Sequence, residues 1–129
     1  MKFLQISDIH LIPNGGELYG LNPHERFTQC IADVNEHHAD ADFIVFTGDL
    51  AHTGHPDAYA RLISHLATLK LPYHLMIGNH DNRENFKTAF PSRSRDPNGF
   101  IQFGFDTPAG RFVCLDSNEP GLPYGSFCE

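Results

Sequence analysis

At 129 residues the chain is one domain or part of one, and with 40% hydrophobic residues it can bury a core. Its formal net charge is −7 and no basic block interrupts it. That argues against a long nucleic acid as partner, because binding a run of phosphates needs clustered Lys and Arg. No apolar run approaches the ~20 residues that cross a bilayer, and no basic-then-apolar leader opens the sequence. A cytoplasmic protein without membrane contact is therefore expected, its three widely spaced cysteines reduced.

Residues 2–6 form a short apolar run that reads as a buried strand. A loop follows, with Pro13, Gly15 and Gly16. Asn22-Pro23-His24-Glu25 is a helix start: an N-cap, a proline at the first position and a capping-box glutamate. Phe27, Cys30, Ile31 and Val34 then mark one apolar helical face, closed by His37 and His38. Residues 43–47 are apolar without alternation, as in a strand covered on both faces. Gly54-His55-Pro56-Asp57 opens a second helix, whose face reads Tyr59, Leu62, Ile63, Leu66, Leu69. Residues 73–77 are a third strand and residues 83–90 a short third helix ended by Pro91. Residues 100–105 and 111–115, around Thr107-Pro108-Ala109-Gly110, read as a hairpin. The order strand-helix-strand-helix-strand predicts an α/β fold with a parallel sheet.

All three apolar strands end in polar residues. The first runs into Ser7-Asp8-Ile9-His10, the second into Gly48-Asp49, the third into Gly78-Asn79-His80-Asp81. In a parallel sheet these ends converge, and a rigid strand holds its last residues where they meet solvent. Asp8 and His10, at i and i+2 of an extended segment, point the same way and suit one divalent ion. Asp49 has two oxygens able to bridge two ions, and Asn79 adds an amide oxygen. Such mixed donors favour Mn, Fe, Zn or Co over a soft-thiolate metal. Two ions clamp a phosphoryl centre. His80 can hydrogen-bond the phosphate or protonate the leaving group, and Asp81 can orient His80.

These three motifs resemble the first three of the calcineurin-like metallophosphoesterases. With Leu18-Tyr19-Gly20 and Asp116-Ser117 they resemble its class III cyclic nucleotide phosphodiesterase and glycerophosphodiesterase branch, over roughly residues 1–117. The resemblance implies an αββα sandwich, of which this chain is the β-α-β-α-β part plus a hairpin. It implies two divalent metal ions: Asp8 and His10 on the first, Asp49 bridging, Asn79 on the second, His80 at the phosphate. The substrate is expected to be a small phosphodiester, either a 3',5'-cyclic nucleotide or a glycerophosphodiester. The family's later motifs, a histidine block and Gly-His-x-His, do not occur after His80. The chain is therefore expected to be an N-terminal portion that alone binds metal weakly, has little activity and needs another segment or chain to cover it. A non-catalytic module of the same fold and a phosphomonoesterase or phosphoprotein phosphatase are the alternatives, and homo-oligomerisation is left open.

The remaining candidates have plainer readings. His24 and His65 are expected to be solvated, and His74 to be a sheet residue. His52 and His55 either line the pocket or lie on a solvated loop. Cys30 and Cys114 are expected to be buried and Cys128 exposed. Phe43, Phe46, Phe103 and Phe105 are assigned to the core, and Tyr19, by resemblance, lies near the pocket.

Overall fold

The structure is a computed structural model that describes residues 1–93 and 95–127; Cys128 lies outside the described residues. The chain runs β1 (Phe3–Ile6), α1 (Pro23–His37), β2 (Phe43–Phe46), α2 (Pro56–Leu66), β3 (Tyr73–Leu75), α3 (Arg83–Ala89), β4 (Phe103–Thr107) and β5 (Gly110–Cys114). The first three strands make one parallel sheet in the order β1-β2-β3, so the second apolar run is central, as its lack of alternation predicts. The last two strands pair antiparallel as a separate hairpin.

The central strand is covered on both faces. Ile44 and Phe46 are fully buried in the core beneath the helices, with Phe27 of α1 edge-on to Phe46. Phe43 points the other way, with Phe105 and Phe112 of the hairpin against it edge-on. The result is three layers: helices, parallel sheet, hairpin. His74 of β3 is part of the hairpin contact, its ring stacked on Phe105 at 3.8 Å between centroids.

Helix α1 begins as its sequence dictates. The Asn22 side chain accepts from the N–H of His24 and Glu25, and Pro23 occupies the first turn, where its missing donor is not needed. His55 caps α2 by accepting from the Asp57 N–H at 3.1 Å, which assigns it to the helix end.

Several expectations are corrected. Ile63 is 42% exposed, because the inward face of α2 follows Tyr59, Leu62 and Leu66, and Ile63 lies one residue off that stripe. Leu69 lies beyond the end of α2 and packs on the core from the connection. His24 is buried rather than solvated. Its Nε2 meets the Ile12 carbonyl at 2.8 Å and its Nδ1 meets His65 Nε2 at 3.2 Å, so its polar atoms are satisfied. The hairpin starts at Phe103, because the Ile101 N–H is taken by the Asp116 carboxylate at 2.8 Å instead of a ladder partner. Phe103 and Phe105 are half-buried rather than fully in the core. Cys30 is only partly buried, whereas Cys114 is fully so, and burial pushes both thiols above their ordinary pKa.

Candidate metal centre

The three predicted motifs lie at the C-terminal ends of β1, β2 and β3, and parallel pairing brings them side by side. Past the strands the chain stays in register: Asp8 N–H donates to the Gly48 carbonyl (3.2 Å), His10 N–H to that of Asp49 (2.9 Å) and Leu11 N–H to that of Leu50 (3.0 Å). The first two loops are thus tied together across the site.

Asp8, His10 and Asp49 all adopt left-handed backbone, with φ of 58°, 48° and 51°. This conformation is rare and strained for residues with a side chain, and it persists where surrounding structure over-determines it. Here it aims the three side chains at one point. His10 Nε2 lies 3.6 Å from Asp8 Oδ1 and 3.6 Å from Asp49 Oδ2, and one donor atom from each residue falls within 4.8 Å of the others. Two carboxylates and an imidazole at such spacing fit a divalent transition ion.

Glycine is required beside this cluster. A Cβ on Gly78 would lie 2.2 Å from Asp49 Oδ1, and one on Gly48 would lie 2.8 Å from the Gly78 nitrogen. The ends of β2 and β3 therefore approach closely, and the Asp49 carboxylate occupies the space above Gly78. Its Oδ1 accepts the His80 N–H at 3.0 Å, leaving Oδ2 toward His10.

His80 is present at the cluster, its ring edge-on to His10 at 4.7 Å. Its Nδ1 meets the His52 carbonyl at 2.7 Å. A carbonyl only accepts, so Nδ1 carries the proton and Nε2 is the free nitrogen. Asn79 is exposed on the same turn and borders a cavity of about 230 Å³ with Thr47, Ser117 and Asn118.

Asp81 takes a different part from the one expected. Its carboxylate does not bond His80 but is buried on the core side of the loops. Oδ2 accepts from the N–H of Leu50 (3.0 Å) and Gly78 (2.9 Å); Oδ1 accepts from the N–H of Ala51 (3.0 Å) and the Tyr59 hydroxyl (2.9 Å). The reason is local: the turn that frees Asn79 and His80 folds the next residue inward. Burial pushes the Asp81 carboxyl above its ordinary value, with the donors from Gly78, Ala51, Leu50 and Tyr59 pulling against it. Burial and the Asp81 charge push the Tyr59 phenol well up in turn. Asp81 and Asp49 form a reciprocal clamp, each carboxylate holding backbone of the other's loop.

The sequence reading missed two supports and left His52 open. Tyr59 looks like any core aromatic of α2, and nothing in its spacing signals its bond to Asp81. Asn118 donates to the Gly78 carbonyl at 2.6 Å, and its own carbonyl is held by Arg83, which also pairs bidentately with Asp116. Desolvation acts to raise the Asp116 carboxyl, but Arg83 and the N–H groups of Ile101 and Asn118 outweigh it and hold the group below its ordinary value. His52 turns out to join the site. Its ring stacks on His80 at 5.1 Å, with Tyr19 edge-on at 6.0 Å. Burial first, then His80 and His10, lower its pKa, against the opposing pull of Asp49.

A parallel α/β layer that delivers carboxylates and imidazoles together from successive strand ends gives a cluster able to hold a divalent ion. The chain belongs to the calcineurin-like phosphoesterase family, whose family model matches residues 1–127. It is 43% identical over its full length to a probable cyclic nucleotide phosphodiesterase of Rhodopseudomonas palustris, covering 48% of that protein. It is 29% identical to a probable glycerophosphodiester phosphodiesterase (GpdQ) of Arcobacter nitrofigilis, over all of this chain and 48% of the relative. It is also 29% identical to the 3',5'-cyclic adenosine monophosphate phosphodiesterase CpdA of Escherichia coli, over all of this chain and 46% of the relative. The chain thus spans about half the length of the curated relatives it matches. Among the described residues no helix is long and apolar enough to cross a membrane.

Proposed function

We propose that this chain serves a metal-dependent phosphodiesterase acting on a small phosphodiester, a 3',5'-cyclic nucleotide or a glycerophosphodiester, at a centre of two divalent ions. The observation that carries the reading is the convergence of Asp8, His10 and Asp49, each in left-handed backbone, on one point at the strand ends. The relatives' names support the substrate class.

Asp8 and His10 would hold the first ion, Asp49 would serve both ions and Asn79 would help to hold the second. When bound, such ions supply Lewis-acid polarisation of the phosphoryl group and neutralise its oxygens. The chain's own residues do the rest. Asp49 is fixed through Oδ1 by the His80 N–H, so its carboxylate is oriented before any substrate arrives. Hydrolysis breaks one P–O ester bond, joins the hydroxyl of water to phosphorus and leaves a proton for the departing oxygen. Carrying a proton on both nitrogens, His80 gives the one on Nε2 to the departing oxygen and keeps its Nδ1–H on the His52 carbonyl; the proton released by the attacking water restores that form. Asp81 acts as a positioning residue that holds the loop bearing Asp49 against the loop bearing Asn79 and His80.

The test is Asp49→Ala in the gene product that contains this chain. In protein loaded with Mn²⁺ alone, elemental analysis is expected to show loss of most bound metal, and hydrolysis of a chromogenic phosphodiester is expected to cease. Two metals per chain with near-normal turnover would refute the reading.

A further inference from the structure

Three histidines from three different loops meet beside the Asp8–His10–Asp49 cluster. His10 follows β1, His52 follows β2 and His80 follows β3. Ring centroids lie 4.7 Å apart for His10 and His80, 5.1 Å for His52 and His80, and 5.4 Å for His10 and His52. One nitrogen from each lies within 4.8 Å of the others.

We propose that His10, His52 and His80 form a second, imidazole-only site for a borderline transition ion such as Zn²⁺, and that its occupancy competes with the carboxylate-bearing centre for His10. The competition rests on the reading of the Asp8–His10–Asp49 cluster given above; the site itself does not.

The spacing carries the argument. Zinc binds imidazole at 2.0–2.1 Å, so two nitrogens on a tetrahedral ion lie about 3.3 Å apart. His10 Nδ1 and His52 Nδ1 are 3.5 Å apart. The pair is therefore already near the bite of one ion. His80 supplies the third donor through Nε2, since its Nδ1 is held by the His52 carbonyl. That bond uses the backbone of His52, leaving the His52 ring free to ligate. Three imidazoles with an open fourth position are a recognised zinc donor set, whereas Mn²⁺ prefers the oxygens next door.

His10 belongs to both sets through opposite edges of one ring. Nε2 faces Asp8 and Asp49, and Nδ1 faces His52. A neutral imidazole has one lone pair to give, its other nitrogen keeping the proton. An ion on Nδ1 thus withdraws Nε2 from the carboxylate centre, and an ion on Nε2 disarms the imidazole site.

Zn²⁺ uptake by equilibrium dialysis and Zn²⁺ inhibition of Mn²⁺-supported hydrolysis test this, using the gene product that contains the chain and three variants: Asp49→Ala, His52→Gln and the double substitution. Asp49→Ala is expected to keep one Zn²⁺ that the double variant loses. His52→Gln alone is expected to weaken the inhibitory Zn²⁺ by ~10-fold or more, at least the loss seen when a ligand's support is removed. His52 is half-buried on a loop, so if Asp49→Ala fails to fold, His52→Gln decides by itself. Equal Zn²⁺ inhibition of wild type and His52→Gln overturns the proposal, as does failure of the wild type to take up Zn²⁺. Absence of Mn²⁺-supported turnover in the wild type, with His52-dependent Zn²⁺ uptake intact, counts against the phosphodiesterase reading and supports the imidazole site.

Discussion

Replacing Asp81 by asparagine changes one atom and separates a carboxylate hub from a merely polar one. All four partners of Asp81 donate: three backbone N–H groups and the Tyr59 hydroxyl. Asparagine keeps one acceptor oxygen. Its best placement sets that oxygen at the present Oδ2, preserving the bonds from Leu50 and Gly78. The amide NH₂ then faces the Ala51 N–H, donor against donor, while the Tyr59 hydroxyl can turn to accept. The opposite placement loses two backbone bonds instead of one. The cheaper choice forfeits one bond to a charged acceptor, about 1.5–3 kcal/mol, and leaves one buried N–H unpaired, about 1–3 kcal/mol. Ala51 is fully buried, so no water repairs the loss. Asp81→Asn is expected to destabilise the protein by ~3–5 kcal/mol in urea unfolding. Tyr59→Phe removes both the donor to Asp81 and the acceptor of the Asn82 N–H at 3.0 Å, and is expected to cost ~2–4.5 kcal/mol alone, and less in the Asp81→Asn background because the two share a bond. A loss for Asp81→Asn within the ~0.5 kcal/mol of an ordinary surface change would refute the hub.

Two further outcomes concern neighbouring groups. In protein loaded with Mn²⁺ alone, His80→Ala is expected to leave the Mn²⁺ content intact by elemental analysis while slowing turnover ~10²–10⁴-fold, with a smaller effect on an ester whose leaving group needs no proton; Mn²⁺ loss in step with rate would make His80 a ligand of the carboxylate centre. Asp116 has a folded pKa held below its ordinary value, so its ionised form stabilises the fold above the ordinary carboxylate pKa of about 3.9, and that contribution disappears as pH falls through the lower folded value. Urea melts across this acid range are expected to show a shallower loss of stability in Asp116→Asn than in wild type, from a lower starting point at neutral pH. Parallel acid limbs in the two proteins would exclude the linkage.

Much of this protein is written in local pattern. The apolar run of residues 43–47, flanked by two helix-bearing connections, determines a central parallel strand, because a strand without polar alternation needs cover on both faces. Asn22-Pro23 and His55-Pro56 determine where α1 and α2 begin, because capping is a bond between neighbours in sequence. The motif spacing placed Asp8, His10, Asp49 and His80 at strand ends, and parallel pairing alone makes such ends adjacent. Tertiary structure decided what each side chain does there. It turned Asp81 inward to Leu50, Ala51, Gly78 and Tyr59, and it set the backbone carbonyl of His52 against His80, where the close approach of Gly48 and Gly78 brings the loops after β2 and β3 together. It buried His24 against Ile12 and His65, and it brought His52 to His10. These are contacts between segments tens of residues apart, and no local pattern encodes a bond whose partner is chosen by how two loops pack.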